Sequence, residues 1–278
     1  MELIAITNRA AEAAAFERCM IDRIMVDLEV LGKAERQIGR PTWISDHQRE
    51  DITAVKAALN RSTLVVRINP INPKSKAEID DAIMRGADIL MLPMARTVQE
   101  VGQFVEYVEG RNRTCLLLET ADLLDEIDAI VAIRGLDEIH VGLNDLHLSL
   151  GMKCMFQVLS DGLLDYLAKA AFDSGKRLGI GGVGALGTGE IDPQLILNEH
   201  MRLGSSMVIL SRSFFAGIDR GVGMEVVATV APRVKKLREY IESIKLLPPV
   251  LLSQNRVSLH ANVVAYLDRH HKGTSTGS

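Results

Sequence analysis

The stretch that decides the fold is Cys115–Gly151, CLLLETADLLDEIDAIVAIRGLDEIHVGLNDLHLSLG. A short apolar run ends at Glu119, and an apolar pattern of helical spacing follows it and closes at Gly135. A second apolar run then leads to Asp145. Such runs are typical of strands that are buried on both faces of a parallel sheet under helices. The stretch therefore predicts a strand–helix–strand unit with an acid near the end of each strand.

The same unit repeats along the whole chain. Eight strand-like runs, each followed by a helical pattern, predict an α/β fold of the (β/α)₈ barrel type rather than an open sheet. No proline-rich or serine-rich linker interrupts the pattern, so residues 1–246 are predicted to form one barrel and residues 247–278 a C-terminal extension. The predicted strands are Leu3–Thr7, Arg23–Asp27, Leu64–Ile68, Ile89–Leu92, Cys115–Leu118, Glu138–Val141, Arg177–Ile180 and Met207–Leu210.

The C-terminal extension predicts an additional helix. Pro248 and Pro249 interrupt the preceding helical pattern, and Val257–Leu267 has an amphipathic period. A complete barrel is expected to leave no vacant face for this apolar stripe, so the helix is predicted to contact a neighbouring subunit of a homo-oligomer. The last residues, 273–278, have the composition of a flexible tail.

Composition excludes several classes of function. Of the 278 residues, 47% are hydrophobic and 24% charged, as in ordinary globular enzymes. The net charge of -4 offers no basic surface for nucleic acid, and no apolar run is long enough for a membrane span. The amino terminus lacks the features of a signal peptide, and the three cysteines lack metal-site spacing. These features predict a cytoplasmic protein with a small-molecule partner.

Two acids are expected to share one pocket. In parallel barrels the ligand lies at the carboxyl ends of the strands, which places Glu119 and Asp145 together. Two converging carboxylates suit a hard divalent cation such as Mg²⁺ or Mn²⁺. The alternative is that each acid is a helix cap or a solvated loop charge.

Two segments around these acids resemble a known family. LLLETADLL (116–124) and VGLNDLHLSLG (141–151) are similar to the metal-binding strands of class II pyruvate aldolases and of the citrate lyase beta-subunit group. These proteins are phosphoenolpyruvate/pyruvate-type barrels. The resemblance implies that Glu119 and Asp145 hold Mg²⁺ or Mn²⁺.

The turn that contains the second acid departs from the family pattern. Leu143 stands where the family commonly has proline or another small residue, and His147 stands where serine is usual. The resemblance implies that Leu143 and the following Asn144 contact the substrate. Neither departure removes a metal ligand.

The second strand ends in the acidic motif Asp27–Glu29, which resembles the corresponding motif of the citrate lyase beta group. The resemblance implies that Glu29 steers a water at the reacting carbon and that Asp27 is near the substrate. Asp27 could equally be a structural acid that accepts backbone N–H groups. The aldolases usually carry a histidine in this loop as the base. Here the candidate is His47, in the long polar connection Gly32–Asp51, whose length predicts a lid or a subunit contact.

The third strand carries VRINP, Val66–Pro70. Its Arg67 ends a buried strand and needs an anionic partner. The motif resembles the family segment whose arginine binds the carboxylate and carbonyl end of a pyruvyl group, a contact that a guanidinium can make with two hydrogen bonds. The alternative is a structural salt bridge to Glu119 or Glu29.

The remaining strand ends give weaker signals. Pro93 lies in ILMLPMA, Ile89–Ala95, which resembles a family turn that shapes the pocket floor. No predicted strand ends in lysine, so imine-forming chemistry is disfavoured against the metal route. The glycine run Gly179–Gly189 could bring backbone N–H groups close to an anion.

Together the residues and the resemblance predict a metal-dependent carbon–carbon lyase that acts on a pyruvate-like 2-oxo acid. Arg67, Glu29 and His47 are the predicted catalytic residues. Two alternatives stay open: a citrate lyase beta-like enzyme that cleaves a CoA ester, and a barrel that binds a carboxylate ligand without converting it.

Overall fold

The computed structural model describes residues 1–31, 46–218 and 224–272. Its eight strands form a closed parallel barrel in chain order, with β8 paired to β1, and this confirms the predicted fold. The strands are β1 Glu2–Ile6, β2 Arg23–Asp27, β3 Thr63–Arg67, β4 Ile89–Leu92, β5 Arg113–Leu118, β6 Glu138–Val141, β7 Arg177–Val183 and β8 Met207–Leu210.

Helices surround the barrel. They are α1 Ala10–Arg18, α2 Arg49–Ala58, α3 Ser75–Met84, α4 Val98–Val108, α5 Ala121–Leu124, α6 Ile127–Val131, α7 Leu143–Ser149, α8 Gln157–Ser160, α9 Asp165–Asp173, α10 Pro193–Arg202, α11 Met224–Ile244 and α12 Pro249–Lys272. A 3₁₀ turn, Arg212–Phe215, follows β8. The single helix predicted after β5 is instead two short ones, because the chain turns at Asp125 and Glu126.

Alternation along the strands produces two apolar clusters. Side chains two residues apart share a face of the sheet, so one set fills the barrel and the other packs beneath the helices. The interior set is aliphatic and sulfur-rich, as the low aromatic content of 4% predicts. Its members are Ile4, Met25, Val65, Ile89, Met91, Cys115, Leu117 and Met207.

Charged side chains close the amino end of the barrel. Arg23 donates from Nη1 and Nη2 to Glu138 Oε2 and Oε1, at 2.6 and 2.8 Å, and also pairs with Glu2. Arg177 lies 3.0 Å from Glu2 and 3.2 Å from Glu138. Both Arg23 and Glu138 are buried. This network fixes the lower ends of four strands and leaves the carboxyl ends to form the site.

The C-terminal helix α12 packs on α8 and α10 of its own chain. Leu252, Leu259 and Val263 are buried in this contact, and Asn255 Nδ2 donates to the carbonyl of Leu195 at 2.9 Å. The premise that the barrel has no vacant face was therefore wrong. The helix begins at Pro249. Proline is tolerated there because the N–H groups of the first helical turn have no partner within the helix. A subunit contact stays a prediction, and the predicted tail 273–278 lies outside the described residues.

Two further observations concern the described residues. None of their helices combines the length and the hydrophobicity that crossing a bilayer requires. The three cysteines are buried and free. Most of the predicted lid, residues 32–45, lies outside the described part of the chain.

Candidate active site

Glu119 is a buried acid at the carboxyl end of the barrel. It directly follows β5, is 4% exposed, and accepts the backbone N–H of Met94 on Oε1 at 2.9 Å. Met94 has a φ of 53°, a conformation rare for non-glycine residues and often found at functional sites. A Cβ on Gly142 would lie 2.7 Å from Glu119 Oε2, so only glycine leaves room for this carboxylate. Sequence reasoning did not identify either Met94 or Gly142.

Asp145 lies beside Glu119, in the first turn of α7. Burial, together with the negative charges of Asp145 and Glu29, raises the pKa of Glu119 to about 8. The charge of Arg67 opposes this shift. The structure therefore brings the two predicted metal ligands close enough to repel each other.

Arg67 ends β3 and forms a bidentate pair with Asp27. Its Nε and Nη2 donate to Asp27 Oδ1 and Oδ2, each at 2.8 Å, while Glu29 Oε2 lies 3.6 Å from Nε. Burial alone would lower the pKa of Arg67, but Asp27, Glu29 and Glu119 raise it above its ordinary value. The principal partner of Arg67 is thus Asp27 rather than Glu29 or Glu119.

The loop after β2 is held by side chains from β3 and α3. Asp27 Oδ1 accepts the backbone N–H of Glu29 at 3.2 Å, which is the structural role considered for this acid. Asn69 Oδ1 accepts the N–H groups of the next two loop residues at 2.9 and 3.0 Å. Glu78 Oε1 in turn accepts both the backbone N–H and Nδ2 of Asn69. The sequence showed Asn69 only as part of VRINP and gave no sign of this role.

His47 lies at the end of β2, although it is distant from the acidic motif in sequence. The backbone N–H of Asp27 donates to His47 Nδ1 at 2.9 Å. A neutral ring that accepts on Nδ1 carries its proton on Nε2. Asp51 anchors the segment, because its Oδ2 accepts from the backbone N–H of Gln48 at 2.7 Å and from Asn8 Nδ2 at 3.0 Å.

The other three predicted substrate contacts, Pro93, Leu143 and Asn144, lie in different surroundings. Pro93 is buried in the turn that leads to Met94. Leu143 is 2% exposed and belongs to the main apolar core beneath the helices, and its contact with substrate stays a prediction. Asn144 is exposed and lines a cavity beside Asp145.

The donor set fits a hard cation with open coordination positions. The described residues contain no group of three or more His, Cys, Asp or Glu side chains that could enclose a metal ion. The pair Glu119 and Asp145 instead offers carboxylate oxygens alone, and Mg²⁺ is commonly bound by one or two carboxylates with water or substrate completing its shell. A nearby positive charge would also relieve the repulsion that raises the pKa of Glu119.

Several solved structures are similar to this chain in fold. One is an HpcH/HpaI aldolase from Desulfitobacterium hafniense DCB-2, with a TM-score of 0.57, 15% identity, and coverage of 89% of this chain and 93% of that one. Another is the citrate lyase beta subunit from M. tuberculosis complexed with oxaloacetate and magnesium, with a TM-score of 0.55, 17% identity, and coverage of 84% and 96%. The citrate synthase SbnG has a TM-score of 0.57, 15% identity, and coverage of 86% and 93%. At these identities the likeness establishes the fold.

The sequence itself carries the family assignment. No curated protein sequence matches the chain. Residues 5–177, more than half of the chain, match the profile of a family described as HpcH/HpaI aldolase/citrate lyase. The matched segment contains Arg67, Glu119 and Asp145. The chain therefore belongs to the HpcH/HpaI aldolase/citrate lyase family.

Proposed function

We propose that this protein is a metal-dependent carbon–carbon lyase that cleaves or forms a bond to a pyruvate-like 2-oxo acid. The observation that carries the proposal is the buried Glu119 and its neighbour Asp145, beside Arg67, at the carboxyl end of the barrel. In barrels of this kind the chemistry takes place at that end. The family contains aldolases and lyases, which supports this reaction class.

Glu119 and Asp145 would hold Mg²⁺ or Mn²⁺. When bound, the ion polarises the carboxylate and carbonyl oxygens of the 2-oxo acid as a Lewis acid. The citrate lyase beta subunit from M. tuberculosis is complexed with oxaloacetate and magnesium, and this supports the same ligand class here.

Arg67 would bind the oxygen atoms on which negative charge develops. Asp27 accepts hydrogen bonds from Nε and from one N–H of Nη2 of Arg67. The other three of the five guanidinium N–H groups do not contact Asp27. Asp27 thereby holds the plane of the guanidinium in one orientation. A preorganised donor of this kind stabilises a developing oxyanion more strongly than a mobile one does.

Proton transfer would involve Glu29 and His47. Because Nδ1 of His47 accepts the N–H of Asp27, the neutral ring offers the proton on Nε2 and acts as a donor. His47 could become a base only by releasing that backbone N–H. Glu29 is buried beside Arg67 and suits the orientation of a water that takes up a proton.

The test follows the pyruvate half-reaction by itself. Exchange of the methyl protons of pyruvate in D₂O, followed by NMR, should require Mg²⁺ or Mn²⁺ and should stop on chelation. Glu119→Gln and Asp145→Asn should each slow exchange by about 10²–10³-fold, and the double variant should be little slower, because the two acids act as one unit. Glu239→Gln, on the exposed face of α11, is the matched control.

Full exchange after exhaustive chelation, with no metal by elemental analysis, would overturn the proposal. Turnover of acyl-CoA esters without exchange of pyruvate protons would favour the citrate lyase beta-like alternative. Metal and pyruvate binding without exchange or turnover of any substrate would show a carboxylate-binding protein.

A further inference from the structure

A cavity of about 740 Å³ lies at the amino end of the barrel, opposite the candidate active site. The beginnings of four neighbouring strands line it, through Thr63 of β3, Asp88 before β4, Arg113 of β5 and Asp137 before β6. We name it the amino-end cavity. Its volume is in the range of small-molecule sites. None of the described residues assigned to the active site lines it, so a ligand here is not a reactant of the proposed lyase.

Positive charge predominates in the lining of this cavity. The cationic side chains are Lys56, Arg61, Arg111 and Arg113, and the acidic ones are Asp88 and Asp137. Asp88 is balanced within the lining, because both of its carboxylate oxygens lie 2.7 Å from Lys56 Nζ. Asp137 Oδ2 accepts the backbone N–H of Thr114 at 2.8 Å and so holds the start of β5. The other lining charges are the three guanidinium groups.

Two of these guanidinium groups have only long contacts with the protein. Arg113 is exposed, and its Nη1 lies 3.6 Å from Glu138, a carboxylate that already has Arg23 at 2.6 Å and Arg177 at 3.2 Å. Arg61 is also exposed, and its Nη2 lies 3.5 Å from the carbonyl oxygen of Glu17. Neither group has an anionic partner within 3.5 Å in the described part of the chain, so both retain N–H donors for a ligand.

The third guanidinium, that of Arg111, is held in place by the protein. Its Nη2 donates to Asp80 Oδ1 at 2.7 Å and to the carbonyl of Tyr107 at 2.8 Å, and its Nε donates to the carbonyl of Val108 at 3.0 Å. These three bonds fix the plane of the group and do not use Nη1. A fixed donor loses little conformational freedom when it binds a ligand.

The neutral lining residues stabilise the loops of the cavity. Ser62 Oγ donates to the carbonyl of Ile21 at 2.7 Å, and Asn112 Nδ2 donates to the carbonyl of Ala87 at 2.6 Å. Glu17 supports the loop before β3, since its Oε1 accepts the backbone N–H groups of Asn60, Arg61 and Ser62 at 2.9, 2.6 and 2.7 Å. The loops that carry the arginines are therefore anchored before any ligand binds.

We propose that the amino-end cavity binds a small polyanion that carries two or more phosphate or carboxylate groups. Guanidinium groups bind both kinds of anion through pairs of parallel hydrogen bonds. Three such groups line one cavity, so an anion with several charged groups can contact more than one of them. The size of the cavity suits a small molecule rather than a polymer. This inference does not depend on the proposed function, because the two sites lie at opposite ends of the barrel.

The test measures the binding of tripolyphosphate and of citrate by calorimetry, in metal-free buffer because both ions chelate divalent cations. At least one of them should bind the wild-type protein at a ratio of one to one. The double variant Arg61→Gln/Arg113→Gln should raise its Kd by about 10-fold or more, since two charge-assisted contacts are lost. Lys235→Gln/Arg269→Gln removes the same charge from exposed positions on α11 and α12 and should leave Kd unchanged.

A third variant, Arg67→Lys, distinguishes the two ends of the barrel even where the double variant is poorly folded. The ion should bind this variant as tightly as the wild type. Tighter binding of tripolyphosphate would assign phosphate groups to the natural ligand, and tighter binding of citrate would assign carboxylates. Absence of binding to the wild type, or equal affinity in the Arg61→Gln/Arg113→Gln variant, would overturn the proposal. Loss of affinity in Arg67→Lys would place the ion at the candidate active site and would overturn it as well.

Discussion

The two ends of the barrel bury the same kinds of charged side chain but balance them differently. At the amino end, Arg23 and Arg177 pair with Glu2 and Glu138, and Arg113 adds a positive charge 3.6 Å from Glu138. At the carboxyl end, the described residues place Arg67 beside the carboxylates of Asp27, Glu29 and Glu119, and Asp145 adds a fourth beside Glu119. Among the described residues, the acids of the amino end therefore have enough guanidinium partners, whereas those of the carboxyl end do not.

This difference separates a structural network from a binding site. Buried charges are tolerated when each has partners, as at the amino end. At the carboxyl end, burial and neighbouring acids raise the pKa of Glu119 to about 8 in the absence of a cation. An excess of negative charge that folding does not require is the property expected of a cation site.

The largest effect should follow from breaking the amino-end network. Arg23→Ala leaves Glu138, which is fully buried, without its bidentate partner, and should lower the free energy of unfolding by about 3–5 kcal/mol. Denaturant unfolding measures this loss. Arg113→Ala is the control, because that side chain is half exposed and its contact with Glu138 is long, so it should cost less than about 1 kcal/mol. Equal losses in the two variants would contradict a neutralised network.

Substitution of Arg67, at the carboxyl end of the barrel, should lower the reaction rate rather than the stability of the fold. Arg67→Lys keeps the positive charge but cannot bind a carboxylate with two parallel hydrogen bonds, so kcat/KM should fall by about 10²–10³-fold. Arg177→Lys makes the same change at the amino end and should leave the kinetics unaltered. Near-normal kcat/KM in Arg67→Lys would show that Arg67 is structural.

Two buried histidines should make the fold sensitive to acid. His140 faces the interior on β6 and His200 lies on α10, and burial lowers the pKa of each from 6.5 to about 3. The folded pKa lies below the unfolded one, so stability is complete above pH 6.5 and falls as the pH drops toward 3. At pH 5 each histidine should cost about 2 kcal/mol.

The variant His140→Asn isolates one of these contributions. Its free energy of unfolding should fall between pH 7 and pH 5 by about 2 kcal/mol less than that of the wild type, whatever its packing cost. Any packing change is present at both pH values and cancels in the comparison. An identical decrease in the two proteins would show that folding does not lower the pKa of His140.

The smallest expected effect on stability comes from replacing one glutamate by glutamine at each end of the barrel, Glu119 at the carboxyl end and Glu138 at the amino end. Without metal, folding near pH 7 must protonate Glu119, because the pKa of its carboxyl is raised from 4.5 to about 8. Glu119→Gln removes this cost, so the free energy of unfolding should stay equal or rise by up to about 2 kcal/mol. Glu138→Gln removes a paired charge and should lower it by about 1–3 kcal/mol. Both variants are measured by the same denaturant unfolding in a chelating buffer. A decrease in Glu119→Gln as large as in Glu138→Gln would remove the distinction between the two ends.

The barrel and several site residues could be predicted because their signals are local. Continuous apolar runs indicated the strands, and glycines at the ends of several helical patterns supported the β/α units. The carboxyl ends of parallel strands meet at one face of the barrel, so Glu119 was placed there from local sequence alone. The break between α5 and α6 was missed, since the apolar spacing continues across it.

Contacts between distant residues were not predictable in the same way. Arg23 and Glu138 are separated by 115 residues. Nothing in the sequence around either residue distinguishes it from an arginine or a glutamate on the solvent-exposed surface. Met94 has a left-handed conformation and donates its backbone N–H to Glu119, although methionine gives no signal for such a turn as glycine or asparagine would. Asn69 likewise acquires its role only when β2 and β3 lie side by side.

The sequence by itself determined the closed barrel, the family, and the acids and arginine at the carboxyl ends of its strands. The tertiary structure decided that Asp27 pairs with Arg67, that His47 Nδ1 accepts a backbone N–H at the end of β2, and that Leu143 is part of the main apolar core. The physical reason is the range of the interactions. Strand patterns arise from neighbours along the chain, whereas hydrogen bonds, charge balance and pKa depend on atoms that only folding brings within a few ångströms.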